Sequence, residues 1–534
     1  MKPKLTIKEN FELAFRNHKD NNFQIAIKLY NEILEVNPNH HDTLINLGGV
    51  FKMLGEFQKA VVCFEKVIKI DPTSCLALTN LGLTFADLEE NQKATICYEK
   101  VIEIDPNYVN AHYNLGVLFN HLEEHQKATI CYEKVIEIDP NYVNAHNNLG
   151  NVFKDSGNLQ KAKEFFEKAI ENNPNHAGAL NNLGVIFKEL KKNREAKNCF
   201  EQVIKINPNH ADAHNNLGVI FQELGKIEKA KECYEKAIVI NPNYADAYNN
   251  LGGRFQELGK NQKAKECFEK AIEINPNYAI AHWNLHGLST DIDEALLILK
   301  KIYKIDSSHI KSKIMISALE GYKGDFKKFN ELLNSSHLNH PYVRSIKWVF
   351  SLPKLPNIFF DRWLFFDAVI KLTDNSRPFY EFGVWNGVSF QYLINTFKKG
   401  FGFDTFGGLP EDWYNQPKGT YSSFGVIPKI EGGEFIVGKF EDTLPDFFSK
   451  ERPMASLINF DADLYSSTLC ALNNSNKIID EKTILIFDEL IMNDKWEEDE
   501  FKALNKFCDN FDCNYEVIAV SFFTKQVAVK LKKI

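Results

Sequence analysis

The stretch "VNAHYNLGVLFNHLEEHQKATICYEKVIEIDPNY", residues 109–142, returns as "ADAHNNLGVIFQELGKIEKAKECYEKAIVINPNY" at residues 211–244. The same 34-residue pattern runs from about residue 7 to about residue 290. A period of this length marks a helix-turn-helix unit that stacks on its neighbours, because one pair of helices cannot bury its apolar face alone. Gly48, Gly82, Gly116, Gly150, Gly184, Gly218 and Gly252 recur where a side chain would hold the two helices apart. Ala60 and its equivalents through Ala264 do the same on the second helix, and Phe51 and its equivalents through Phe255 are expected to fill the space between. Pro72 and its equivalents through Pro276 stop each second helix, since proline lacks the donor that would continue it.

Small residues, aromatics and prolines in these places make the pattern resemble the tetratricopeptide repeat over more than half of the chain. The resemblance implies an all-α superhelical solenoid, expected over residues 1–335 as about eight regular repeats plus degenerate terminal helices. It further implies a groove that docks a protein or peptide. The pattern decays where His286 replaces the glycine, and "KSKIMISALEGYKGDFKKFNELLNSS" reads as a last irregular helical pair. Asn46, Asn80, Asn114, Asn148, Asn182, Asn216, Asn250 and Asn284 form a further column on the first helix. Asparagine is a mediocre helix former, so a column of them asks for a reason. Either the amides bind the backbone of an extended peptide, as a similar ladder does in the O-linked N-acetylglucosamine transferase, or duplication copied residues that bond only to neighbouring turns.

At 534 residues the chain is too long for one core, and 44% hydrophobic with 25% charged residues describes an ordinary folded protein. A formal charge of -8 gives no support to nucleic-acid or membrane-surface partners, which usually show as a basic excess. The N-terminus lacks the apolar core of a signal peptide and no run approaches a membrane span, so a cytoplasmic address is expected. Of ten cysteines, Cys63, Cys97, Cys131, Cys199, Cys233 and Cys267 are copies of one helix position, and Cys470, Cys508 and Cys513 form no paired motif. All ten read as reduced thiols.

After "HLNHPYVRSIKWVFSLPKLPNIFFDRW" the periodicity changes. The apolar runs "PFYEFGVW", "GFGFD", "EFIVGKF", "ASLINFD" and "TILIFD" alternate with helical or irregular stretches, and "YEVIAVSFF" and "QVAVKLK" close the chain as a tight pair. This predicts a doubly wound α/β sheet over residues 375–534, seven-stranded with a terminal antiparallel hairpin, behind a helical connector or lid at 341–374. In such a sheet ligands bind at the carboxyl ends of the strands. Gly383 and Gly387 in "EFGVWNGVS" let backbone approach a ligand and open a helix, with Glu381 just before them. The full G-x-G-x-x-G of a dinucleotide enzyme is absent here. Asp404 ends the second strand, either to take both ribose hydroxyls of a cofactor or to cap the next turn. In "SLINFDADLYSSTL" and "ILIFDEL", Asp461, Asp463, Asp488 and Glu489 stand at the ends of adjacent strands, bringing up to four carboxylates to one edge. Like charges so close need a cation, and an all-oxygen set suits magnesium, with calcium and manganese as alternatives. No histidine follows His340, which argues against zinc and against a histidine base.

The outline resembles a class I methyltransferase. "YEFGVWNGVS", "GFDTFGGLP", "GKFEDTLP", "FDADLYSSTL" and "IFDEL", in this order, look like the macrocin O-methyltransferase family, which methylates macrolide sugar hydroxyls with S-adenosylmethionine and magnesium. The resemblance implies cofactor binding by Glu381, Gly383, Gly387 and Asp404, and metal ligation by Asp461, Asp488 and Glu489. Glu489 departs from the second aspartate usual in that family. Asp463 is the candidate for proton removal with Tyr465 behind it, because Leu464 stands where the related catechol O-methyltransferase has a lysine. Trp413, Tyr414, Tyr421 and Trp496 are expected either to pack on a sugar face or to cover the cofactor. The stretch 341–368 is expected either to close over the same site or to pack between domains. The functional expectation is an O-methyltransferase acting on a sugar or glycosylated acceptor. Its rivals are a scaffold with a vestigial transferase domain and a protein methyltransferase fed by the asparagine ladder.

Overall fold

The computed structural model describes residues 6–411, 418–419, 422–423 and 425–533. The chain divides into two compact units, Met1–Pro208 and Asn209–Ile534.

The first unit is built of helix pairs such as Val109–His121 with His125–Ile138. The glycine column works by close approach: a Cβ on Gly116, Gly150 or Gly184 would lie 2.8, 2.6 or 2.7 Å from the ring of Tyr132, Phe166 or Phe200. These rings of the second helix, with Phe64 and Tyr98 before them, are the fully buried fillers. The Phe51 column is set less deeply: Phe85, Phe221 and Phe255 are core residues, and others lie at its edge. Phe119 and Phe153 sit half-buried near the end of the first helix, beneath the ammonium groups of Lys127 and Lys161 at 5.1 and 4.9 Å from the ring centres. Those phenylalanines close the edge of the pair, packed against its buried core. Ala60, Ala94, Ala128, Ala162 and Ala196 are completely buried. All ten cysteines are free, and burial pushes the thiols of Cys63, Cys97, Cys131 and Cys199 up to about 11, so they remain protonated.

The asparagine column is largely turned inward on the protein. Asn182 Nδ2 donates to Asn147 Oδ1 at 3.2 Å and to Asn151 Oδ1 at 3.1 Å, and Asn148 Nδ2 donates to the Tyr113 hydroxyl at 3.2 Å. Asn46 Nδ2 donates to the Asp42 carbonyl at 2.8 Å. Asn80, Asn114 and Asn216 stand half-buried in the same column.

The second unit opens with the repeats 211–244 and 245–278 and then with the irregular pairs Ala279–His286 with Ile292–Ile305 and Ile310–Tyr322 with Lys327–Leu333. At the glycine position His286 is fully buried, and sixteen residues on, where earlier repeats carry an aromatic ring, stands Ile302. The smaller aliphatic leaves room for the imidazole.

An eight-stranded mixed sheet follows: β1 (Asn357–Phe359), β2 (Phe379–Phe382), β3 (Gly400–Asp404), β4 (Gly433–Val437), β5 (Leu457–Phe460), β6 (Ile484–Phe487), β7 (Cys513–Ser521) and β8 (Val527–Lys533). Their order is β1-β7-β8-β6-β5-β2-β3-β4. Only β8 runs antiparallel, between β6 and β7. Seven strands fall where the apolar runs predict them. The eighth, β1, lies inside the stretch read as a connector and pairs in parallel with β7, so the sheet starts before residue 375. A three-residue strand with one asparagine and one phenylalanine shows no alternation to read. β2, β5 and β6 are buried on both faces, as central parallel strands must be when helices cover both sides.

The last regular repeats grip the α/β part through three aromatics. The Trp385 and Trp363 rings lie over the turn glycines Gly225 and Gly259, 3.6 and 3.5 Å from where a Cβ would stand. Phe523 fills the space a Cβ on Gly287 would need. Trp363 Nε1 donates to the Gln256 carbonyl at 2.7 Å, and Asn261 Nδ2 donates to Asp361 Oδ1 at 2.9 Å. Among the described residues, no helix is long and apolar enough to cross a membrane.

Candidate active site

Strand order reverses between β2 and β5, which is where an open α/β sheet leaves a crevice. Gly383 leaves β2 with φ +90°, and a Cβ there would sit 1.9 Å from the Asp461 carbonyl oxygen at the end of β5. Only glycine lets the two strand ends come together. Asp404, at the end of β3, accepts the backbone N–H groups of Val384 at 2.8 Å, Trp385 at 2.7 Å and Phe406 at 2.6 Å. It thus pins the loop after Gly383 while still lining the cavity beside it. Gly387, with φ +77°, caps the helix Val388–Phe397.

Glu381 lies one layer deeper. It is fully buried, accepts from Ser389 Oγ at 2.5 Å and Asn459 Nδ2 at 2.9 Å, and is pushed up to about 7 by burial. Its place is behind the cavity wall, bracing β2 against β5.

The cavity, about 240 Å³, is lined among others by Gly383, Asp404, Leu409, Asp461, Asp463, Asp488, Glu489 and Arg362. The four carboxylates of the two strand ends therefore do meet. Burial and their mutual repulsion hold Asp461 and Asp463 well above the usual carboxylate range. Asp463 adopts φ +57°, a left-handed turn that aspartate tolerates, and the chain then enters the helix Tyr465–Ser475. Tyr465 is not on the cavity wall. Its ring packs under Lys502 at 5.0 Å.

The compensating cations are side chains of the protein, absent from the sequence reading. Arg362 Nη2 donates to both oxygens of Asp488, at 2.8 and 2.7 Å, and Gln526 Nε2 adds a third bond at 2.6 Å. Lys525 Nζ donates to Glu489 Oε1 at 3.0 Å while Asn493 Nδ2 takes Oε2 at 2.7 Å. Arg362 is the one basic residue in the aromatic run "NIFFDRWLFF", and Lys525 sits at the tip of the last hairpin; an isolated charge in each was the available signal. Among the described residues, no three His, Cys, Asp or Glu side chains are grouped to hold a metal ion. Asp461, Asp488 and Glu489 share a wall, but two of the three spend their oxygens on Arg362, Gln526, Lys525 and Asn493. The magnesium that the resemblance implies does not fit them as they stand.

Trp496, expected on a sugar face, is buried against Trp348 and Phe501, with ring centres 5.8 and 4.8 Å away. Trp413, Tyr414 and Tyr421 lie outside the described residues. The stretch 341–368 divides in two: Pro341–Phe350 packs into the core, and Arg362–Ile370 carries Arg362 and Trp363 to the site.

A second cavity, about 520 Å³, adjoins the first and shares Arg362, Trp385, Asp461, Asp488 and Glu489 with it. Its far wall comes from the repeats. There Arg254 stands where the preceding repeats have Val50, Thr84, Leu118, Val152, Ile186 and Ile220, and it pairs with Glu257 through two hydrogen bonds. A charge in a column otherwise without one is the signal the sequence carries for it.

Family models for the tetratricopeptide repeat match residues 41–74, 109–142, 143–176, 177–210, 211–244 and 245–278, and a TPR repeat model matches 84–122. Residues 41–278 are a tetratricopeptide array. Among solved structures, the chain is similar to MamA, with 29% identity over 31% of this chain and 96% of that one and a TM-score of 0.29. It is also similar to YrrB, described as a TPR protein with an unusual peptide-binding site, at 25% identity over 34% and 95% with a TM-score of 0.29. The Cut9–Hcn1 hetero-tetramer of the APC/C matches at 18% identity over 50% and 52% with a TM-score of 0.40. No curated protein matches the chain.

Proposed function

We propose that the α/β region is an S-adenosylmethionine-dependent O-methyltransferase acting on a hydroxyl of a sugar or glycosylated acceptor, and that the tetratricopeptide array is its protein- or peptide-interaction module. The observation that carries this reading is the crevice at the strand-order reversal. There Gly383 lets the ends of β2 and β5 close up beside the cavity, Asp404 holds the amides of Val384 and Trp385 in place, and carboxylates line the rim. Gly383, Gly387 and Asp404 would hold the cofactor, and Glu381 would brace the strand beneath. When bound, the cofactor supplies an electrophilic methyl group on a sulfonium.

The chain's own residues supply position and a proton acceptor. As the acceptor oxygen gains the methyl, its proton goes to a wall carboxylate. Asp461 and Asp463 are the two strand-end acids that no cation holds at hydrogen-bond distance among the described residues. Asp463 takes the proton in this scheme. No step is assigned to a metal, because Arg362 and Lys525 already neutralise Asp488 and Glu489.

The test is to incubate the full chain with tritiated S-adenosylmethionine and a panel of oligosaccharides, glycopeptides and unmodified peptides. Label in a sugar methyl ether supports the reading. Label on unmodified peptide alone replaces it with a protein methyltransferase, and no label on any acceptor returns the domain to a scaffold.

A further inference from the structure

We infer that the repeats themselves build the acceptor subsite, so that the chain selects its acceptor with the last regular units of the array as well as with the α/β domain. This rests on the methyltransferase reading of the adjoining cavity.

The second cavity has a repeat wall and a sheet wall. From the repeats come Gln222, Asn249, Asn250, Arg254, Glu257 and Asn284, and from the α/β side come Trp363, Trp385 and Phe523 beside the strand-end acids. Two polar atoms of lining residues, one from each wall, are buried and have no partner among the described residues: Asp361 Oδ2 and Arg254 Nε. Asp361 is completely buried and Arg254 is 7% exposed, so neither atom has ordinary access to bulk water. An unmet buried polar atom is destabilising, and a ligand supplying the missing bond would relieve it. The amides are also set in advance. Asn284 Nδ2 donates to Asn249 Oδ1 at 2.9 Å, and Asn250 Nδ2 donates to Asn215 Oδ1 at 3.0 Å. Asn249 is left a donor, and Asn250 and Asn284 are left acceptors, for a ligand with hydroxyls of both senses.

Charge narrows the class. Five carboxylates (Glu257, Asp361, Asp461, Asp488 and Glu489) line the cavity against three cations (Arg254, Arg362 and Lys525). Each cation faces a carboxylate partner, through Arg254–Glu257, Arg362–Asp488 and Lys525–Glu489. A phosphate or uronate would have to compete with those carboxylates for every cation on the wall. The subsite therefore suits an uncharged or amine-bearing saccharide, with aromatic faces for the ring and amides for its hydroxyls, and rejects a nucleotide sugar or sugar phosphate.

The probe is a printed array carrying neutral, amino, uronate and phosphorylated oligosaccharides together with peptides, exposed to the full chain saturated with S-adenosylhomocysteine. Neutral or amino sugars should bind. Arg254→Ile, which restores the residue type of the neighbouring repeats, and Asn284→Ala should each lower that signal at least tenfold. Both should leave S-adenosylhomocysteine affinity unchanged. Asn80→Ala, in the same column but not on this cavity, should leave the array signal intact. Binding of sugars that both repeat variants leave unaltered overturns the inference, as does binding confined to acidic sugars or to peptides, or no binding at all. If the wild-type chain does not bind S-adenosylhomocysteine, it is the methyltransferase reading that has failed.

Discussion

Asp404 carries more of the site than its place at a strand end suggests. Its carboxylate takes three backbone N–H groups, and bonds to a charged acceptor are stronger than neutral ones. Asp404→Ala should free the loop after Gly383 and cost about 2 kcal/mol in stability, read by urea unfolding. Arg362 answers to a different balance. Arg362→Gln leaves Asp488 buried with its main partner weakened, and because the guanidinium is a third exposed the expected cost is about 2 kcal/mol, below that of a fully buried pair. The same assay reads it. Asp463→Asn should reduce kcat about 10²- to 10⁴-fold with cofactor binding retained, as removal of a general base does. A variant of Asp463 with unchanged kcat would move the proton to another group.

Two elements show how the array is held and where it gives way. In the glycine column a methyl group at Gly184 would fall 2.7 Å from the Phe200 ring, so Gly184→Ala should destabilise the first unit by about 1–3 kcal/mol through overpacking. Gly55→Ala meets no neighbour within 4 Å and is strained only by φ +74°. His286, at the end of this column, is pushed down to about 4 by burial. Trp283, Phe360 and Phe523 surround it, and its Nδ1 donates to the Trp283 carbonyl at 3.2 Å. From an unfolded value near 6.5 down to about 4, the unfolded chain takes up a proton that the folded imidazole refuses. Its contribution is complete above pH 6.5 and is lost as pH falls to about 4, about 3 kcal/mol in all at 1.36 kcal/mol per pKa unit. His286→Gln should flatten the pH dependence of the second unit's unfolding over that window.

For the molecule as a whole, the sequence was legible where order is local. The 34-residue period and the apolar runs of β2 to β8 depend on neighbours along the chain, and both are found where they were read. The clustering of Asp461, Asp463, Asp488 and Glu489 followed from one rule about strand ends. What escaped was set by distant contacts. Arg362 meets Asp488 across 126 residues, and Trp363 meets Gln256 across 107, and no periodicity announces either. Each repeat has two aromatics, and composition alone does not say which of them faces the glycine: it is the ring of the second helix. Residues 209–534 form one compact unit, and Trp363 ties its repeats to its sheet. Trp363→Ala should therefore lower the protection of both the 245–278 repeat and the sheet in hydrogen exchange, whereas loss confined to the sheet would contradict that coupling. Titration calorimetry of the full chain with S-adenosylhomocysteine asks whether the crevice between β2 and β5 binds the methyl donor. One site per chain is expected, weakened at least tenfold by Asp404→Ala. A folded wild-type chain that gives no heat of binding would contradict it.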